Sequence, residues 1–552
     1  MRKASFRLLI CLVGVSSMSG CNSRDAAVTD NQSRFDPDSL GTVEFPVSCN
    51  TVAAEKMTHG LALLHHMMYT EADLVFQSAV EADPSCAMGY WGRAMTLIHP
   101  GWPDVPTAVQ LQQGAELVQQ ALATEPSTER EKAYIDAVGG YFQNAEQRTE
   151  VERLASFHQG WQRVHDSFPE DPEAAAFYAL STLPLGWYGL ADASEVSMAG
   201  AAQMKELLKK IPDHPGAHHY AIHAYDSPLR PDAWALEVAR SYGKLAPDVP
   251  HALHMPTHIF NSLGLWSESI ELNVRSAKAA YEQGRRSMGL DNHYPHALSY
   301  LVYGYLQTGQ DARAQQIVER VTSIEDPISQ LNRMVFAWHL AGIPVRYTLE
   351  RHAWEEAAQL KVRATTAFPW DEYPQFDALT YYARTIGSAR VGDAAAAGES
   401  IAALRAALEQ AGPQGTASWL IWDAQTLLMA AEAWVDYANE DFERAVTRMA
   451  AAAERSFSAS VVGQGDLYPA GEQLADMYLE LGRHDEAMTS YEAVLDRLPN
   501  RFNSLYGAGR SAELAGDAQQ AMGYYQKLVD QSVEEEPERE SLRQAKAYLA
   551  SQ

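Results

Sequence analysis

Near the C-terminal end the same three residues return after 34 positions. Gly482 is followed by Gly516, Ala487 by Ala521 and Tyr491 by Tyr525, each pair 34 residues apart. A period of this length holds two helices and a turn. So short a unit cannot bury an apolar face by itself, and it must stack on its neighbours. The glycine belongs in the loop, the small residue lets the paired helices approach, and the aromatic ring fills the gap that is left. Pro499 then ends the second helix. Ala72, Phe76 and Pro84 keep the intervals of Ala487, Tyr491 and Pro499. Gly264, Gly309 and Gly392 fall between apolar helical segments; Ala314 and Ala397 follow the last two by five positions, and Ser269 holds that place after Gly264. No segment sustains the alternation expected of a strand. The expected fold is all-α: a solenoid of helical hairpins coiled as a right-handed superhelix, regular at its ends and diverged between.

A period of 34 residues is that of the tetratricopeptide repeat (TPR). Longer stretches extend the likeness: Asp83-Pro-Ser-Cys-Ala-Met-Gly-Tyr-Trp-Gly92, His214-Pro-Gly-Ala-His-His-Tyr-Ala-Ile-His-Ala-Tyr-Asp226, His251-Ala-Leu-His-Met-Pro-Thr-His-Ile-Phe260 and Pro499-Asn-Arg501. On these landmarks the chain resembles large bacterial TPR proteins of unassigned function, from about Val47 to Lys527. The resemblance implies an all-helical fold and an extracytoplasmic setting. It implies no activity.

The first residues carry an address. Arg2, Lys3 and Arg7 precede a short apolar run from Leu8 to Val15, and Met18-Ser19-Gly20 leads directly into Cys21. The run is too short to span a bilayer and has the shape of a signal segment. It resembles a bacterial lipoprotein signal, with Met18 where Leu is usual, which implies cleavage before Cys21 and lipidation of its thiol. Asn22 rather than Asp follows, which favours the outer membrane. The expected organisation is a signal peptide at 1–20, a flexible tether at 21–45 and a TPR-like helical region at 46–200. A histidine-rich region at 201–320, diverged repeats at 321–465 and a C-terminal TPR pair with its tail at 466–552 complete it. Cys49 and Cys86 remain in a compartment that permits disulfides, where they either bridge or stay two small buried residues. Lys and Arg number 43 against 71 Asp and Glu, a formal charge of −28, so a phosphate backbone is a poor partner.

Chemistry concentrates in one window. Nine of the 18 histidines lie between His214 and His296. Pro215 suits the first turn of a helix, on which His219, His223 and Asp226 share one stripe. Imidazoles one turn apart are a common metal-binding arrangement, with the carboxylate as a further ligand or as an orienter of a ring. His254 and His258 are also four apart, but Pro256 starts a helix between them, so His254 is expected to precede it. His293 and His296 open the next hairpin, before Tyr300 and Tyr303, and because adjacent repeats stack, all three groups are expected to converge on one wall of the solenoid. The expected metal set is His219, His223, Asp226, His254 and His258, holding a transition metal such as zinc or copper. A hydrogen-bonded histidine–tyrosine network, structural or touching a peptide, is the favoured reading of the cluster, ahead of that metal set and of acid–base catalysis. His59, His65 and His66 are expected at the surface or in the groove, Val533–Glu540 as a solvated acidic face, and most tryptophans as interface packing.

Phosphate-loop, His-Glu-x-x-His, Gly-x-Ser-x-Gly and Cys-x-x-Cys motifs are all missing, and no residue is assigned a catalytic role. The sequence therefore leaves two function classes. One is an envelope-anchored scaffold whose concave groove holds a protein or peptide, tied to the membrane by its lipid. The other is a metal-binding protein or metalloenzyme. Glycan-capturing outer-membrane lipoproteins offer a weaker analogy in length, anchor and tryptophan content.

Overall fold

The computed structural model describes residues 35–552, apart from 101, 103–104, 227–228, 288, 331, 412–417, 459–465 and 536–537. The signal segment, Cys21 and the first part of the tether lie outside the described residues.

Helix follows helix through the chain, and the described residues contain no strand; one isolated bridge joins Leu290 to Ile328. Local chemistry sets the starts and stops. Thr107, Thr128 and Thr149 each cap a helix and exchange bonds with Gln110, Glu131 and Glu152 three residues on, which satisfies two otherwise orphaned N–H groups at each start. The loop glycines Gly264, Gly309, Gly392, Gly482 and Gly516 all have positive φ, between 66° and 83°, where a side chain would be strained. Five residues after each, Ser269, Ala314, Ala397, Ala487 and Ala521 are buried. The aromatic slot is equally concrete. A Cβ on Gly60 or on Gly92 would come within 2.6 Å of the Phe76 ring, so the two glycines flank that ring.

Most helices pack on the next and on the next but one, as a solenoid requires. Two long-range closures add to this. The first helix, Thr51–His65, meets the helix Pro215–Ala224. Near the end of the chain, Pro499–Arg501 is driven back into the middle. Trp266 Nε1 donates to the Asn500 carbonyl at 2.9 Å, and fully buried Arg501 pairs in a fork with Glu350 and Glu472, its contacts running from 2.8 to 3.0 Å. One apolar core runs from Leu40 to Phe260, a second from Ala277 to Met477, and smaller ones lie in the C-terminal repeats.

Three expectations need revision. The tether does not extend to residue 45: Leu40, Val43 and Phe45 are buried, and Thr42 N donates to the Asp213 carbonyl at 3.1 Å. Three apolar residues in a polar segment suffice to dock it. The acidic run at 533–540 is solvent-exposed at Val533, Glu534 and Glu540 as expected, but it is also pinned to the body: Val533 N donates to Thr308 O at 2.9 Å, Glu535 accepts from Ala312 N at 2.8 Å, and Arg539 pairs with Asp311. His65 and His66 lie in the interior, fully buried, where their ring nitrogens meet Glu173, Tyr220, Tyr242 and the Leu40 carbonyl. Cys49 and Cys86 are bridged, with Cα atoms 4.9 Å apart.

Candidate metal centre

Between the two main cores the interior turns from apolar to imidazole. The helix Pro215–Ala224 is buried at every residue. Its start is fixed by Pro215 and by His214, whose Nδ1 accepts from Ala217 N at 3.1 Å. His219 and His223 stand one turn apart, with ring centroids 4.8 Å apart. The chain returns as two short helices, Pro250–His254 and Pro256–Ser262, which place His251, His254 and His258 opposite. His254 thus precedes the Pro256 helix as expected, but it stands on a helical turn of its own. His293–Gln307 brings His293 and His296, and Arg333–Glu350 adds His339. Trp102 lies against His251, His293 and His296, and Tyr300 against His254, His258 and His296.

The predicted ligands do not meet at one point. They divide into two trios, each offering one ring nitrogen per residue within 4.8 Å of the others: His219, His223 and His251, and His254, His258 and His296. Asp226 belongs to neither as a ligand. Its Oδ2 takes the Nδ1 of His223 at 2.8 Å and its Oδ1 takes the Nδ1 of His258 at 2.6 Å, so it orients one ring in each trio. Burial alone would raise the Asp226 carboxyl, but His258 and the bonds from both rings hold it well below the usual carboxylate range.

Counting protons gives this geometry its meaning. An ionised Asp226 only accepts, so His223 and His258 each donate from Nδ1. His254 Nδ1 faces Asn273 Oδ1 at 2.8 Å, while the Asn273 amide nitrogen is given to the Ser269 carbonyl at 3.0 Å, so His254 also donates from Nδ1. His219 Nδ1 faces the His65 carbonyl at 2.6 Å and must do the same. A neutral imidazole has one N–H, so all four Nε2 atoms carry bare lone pairs. Yet His254 Nε2 and His258 Nε2 are 2.9 Å apart. Two lone pairs at that distance repel unless a positive charge lies between or beside them.

A metal ion or a proton supplies such a charge. A proton on His258, paired with Asp226, would satisfy that single contact. It would leave His223 Nε2, which is buried with no hydrogen-bond partner among the described residues, as it is. Burial first, and neighbouring rings second, hold His219, His251, His254 and His296 well below the ordinary imidazole value, so protonating them is costly. Two imidazoles on one ion at ~2.0–2.1 Å would stand about 3.3–3.6 Å apart. The 2.9 Å contact in the second trio is about 0.4–0.7 Å shorter than that, a gap an entering ion would have to open. The 3.1 Å between His219 Nε2 and His251 Nε2 is the length of an N–H···N bond that a neutral His251 donates, so the lone-pair conflict belongs to the second trio. The Nδ1 bonds to carboxylate, amide and carbonyl oxygen are the outer support a ligating histidine needs.

A third cluster shows the contrast. His65 Nε2 donates to Glu173 at 2.7 Å while its Nδ1 accepts from Tyr220 at 2.9 Å, and His214 Nε2 faces Glu173 at 3.3 Å while its Nδ1 caps the helix. Every nitrogen there has a partner of the right sense, so this group is a completed network.

His251, His296 and His339 were outside the expected ligand set. His251 and His296 carry a faint signal, each three residues from another histidine. His339 is alone in its segment, and only the fold brings its Nε2 to 2.7 Å from His296 Nδ1.

The family model described as tetratricopeptide repeat matches residues 470–501 and 503–532. The C-terminal pair consists of TPR units. No curated protein matches the chain. Among solved structures, a human IFIT1 dimer with m7Gppp-AAAA is similar at 11% identity and a TM-score of 0.35, covering 76% of this chain and 86% of that one. The APC/C hetero-tetramer Cut9-Hcn1 is similar at 12% identity and 0.28, covering 89% and 96%. The TPR domain of P58(IPK) is similar at 13% and 0.19, covering 91% and 99%. Likenesses this distant concern the helical-repeat fold and carry nothing about ligands. The chain is an all-α, TPR-like solenoid.

Proposed function

We propose that this chain is a metal-binding helical-repeat protein of a bacterial cell envelope, whose histidine seam holds a transition ion such as zinc or copper. His254, His258 and His296 would be its ligands in one trio, His219, His223 and His251 in the other. Asp226, Asn273 and the His65 carbonyl hold the rings in the tautomer that presents Nε2. The observation that carries the proposal is the 2.9 Å contact between two Nε2 atoms whose protons are both committed elsewhere. Bound there, the ion would supply a fixed positive charge and a Lewis acid in a buried, aromatic-walled site.

Protein purified without a histidine tag should contain stoichiometric metal by elemental mass spectrometry, and His254→Ala/His258→Ala should lower that content while the helical circular dichroism persists. Unchanged metal content in that variant, or none in the parent protein, would contradict the proposal. Anchorage through Cys21 belongs to the same reading. Cys21→Ser should move the protein from the membrane to the soluble envelope fraction, and full retention on membranes would refute the anchor.

A scaffold role is the second reading, favoured by the TPR pair at 470–532, since repeats of this kind present surfaces to protein or peptide segments. A partner held by the repeats should be retained equally by the parent protein and by the His254→Ala/His258→Ala variant, which separates the two readings.

A further inference from the structure

We infer that the seam is a two-ion site built for monovalent copper; this rests on the metal reading above and deepens it. Three observations on separate grounds point there. The first is adjacency. His251 and His254 share one short helix with ring centroids 6.3 Å apart, and His223 and His258 face each other across the trios at 6.2 Å. Asp226 joins the two directly, one carboxylate oxygen on a ring of each trio. Two ions held by these trios would therefore be near neighbours sharing one outer-sphere anion.

The second is donor type. Each trio offers imidazole nitrogen only. Both oxygens of Asp226 are taken by N–H groups, and Cys49 and Cys86 are committed to their disulfide. Hard cations such as calcium and magnesium need oxygen ligands, whereas imidazole suits zinc, copper, iron and nickel.

The third is charge. Imidazole ligates as a neutral donor, the six rings are buried, and Asp226 is the one carboxylate bonded to them. Two divalent ions would bring four positive charges against that one. Two monovalent ions bring two, and uncompensated charge in an interior is expensive. Copper is the imidazole-binding metal with a stable monovalent state, and three nitrogens complete a trigonal shell for it. The ring walls of Trp102 and Tyr300 add no further anion.

The test uses the full chain without a tag, stripped by chelator and handled without oxygen. It is titrated separately with Cu(I), against a chromophoric Cu(I) chelator, and with Zn(II). Two Cu(I) per chain are expected, bound in preference to Zn(II), with X-ray absorption showing nitrogen scatterers and no sulfur. His219→Ala and His258→Gln, one from each trio, should each leave one ion. Asp226→Asn should weaken both ions by about 10–100-fold, because it loosens a ring in each trio. Stoichiometry of one, or a preference for Zn(II), would overturn the two-copper inference and leave the metal reading standing. Binding of neither ion would overturn both. If one single variant fails to fold by circular dichroism, the variant in the other trio still reads the stoichiometry.

Discussion

Arg501 shows how much a single residue can carry that a sequence does not declare. Pro499-Asn-Arg501 is a landmark of the family likeness, but only the fold shows the guanidinium buried between Glu350 and Glu472, over the Tyr303 ring. Arg346, 3.5 Å from Glu350, balances the second carboxylate. Nearby Asp476 is met by two tyrosine hydroxyls in place of a guanidinium fork. Burial first and the Glu472 charge second push its carboxyl up to about 7, against the hydroxyls of Tyr468 and Tyr491 and the charge of Arg390, which pull it down; His352 stands 3.8 Å away. The sign follows from linkage. Between about pH 4 and 7 the unfolded Asp476 has lost its proton while the folded one keeps it, so stability falls as pH rises through that window. The slope from this group is at most about 1.4 kcal/mol per pH unit. Urea unfolding across that range should show the slope reduced in Asp476→Asn; equal slopes in both proteins would refute the assignment. The histidines divide in the same way. The stripe of His219, His223 and Asp226 is legible because a helix has a fixed period; His251 and His296 carry only the signal of a histidine three residues away, and His339 carries none, so packing alone adds it.

At the scale of the element, the repeat pattern translated almost directly. The loop glycines, the small residues five positions on and the aromatic slot all follow from spacing, because two stacked helices leave room for little else at those places. Tyr491 shows the slot's tolerance. It packs where a Cβ on Gly507 would overlap its ring. Gly507→Ala should cost about 1–3 kcal/mol through overpacking, despite the better helix propensity of alanine. A denaturation midpoint at or above that of the parent protein would show that the ring can move aside. Composition misled where a few residues outweigh a polar background. Leu40, Val43 and Phe45 dock a segment that reads as tether, and one carboxylate, Glu535, ties an acidic run to the start of the helix Asp311–Thr322.

Over the whole molecule, the solenoid is closed upon itself in two places, and the histidine seam lies between its two main apolar cores. That position explains why the site could be suspected but not drawn. Nine histidines in one window announce chemistry, yet which nitrogens meet depends on how four separate helical segments pack. It also sets the energetic question, because a seam of bare lone pairs in place of apolar packing weakens the interior unless something binds there. A ligand that binds only the folded state stabilises it by mass action. Anomalous X-ray scattering from crystals of the tag-free protein, recorded on both sides of the copper and zinc absorption edges, tests this most directly. The predicted result is an anomalous peak within bonding distance of His254 Nε2, His258 Nε2 and the His296 ring. Full-occupancy crystals with no peak at either trio, and the two Nε2 atoms still 2.9 Å apart, would show that a proton holds the seam and would contradict the account.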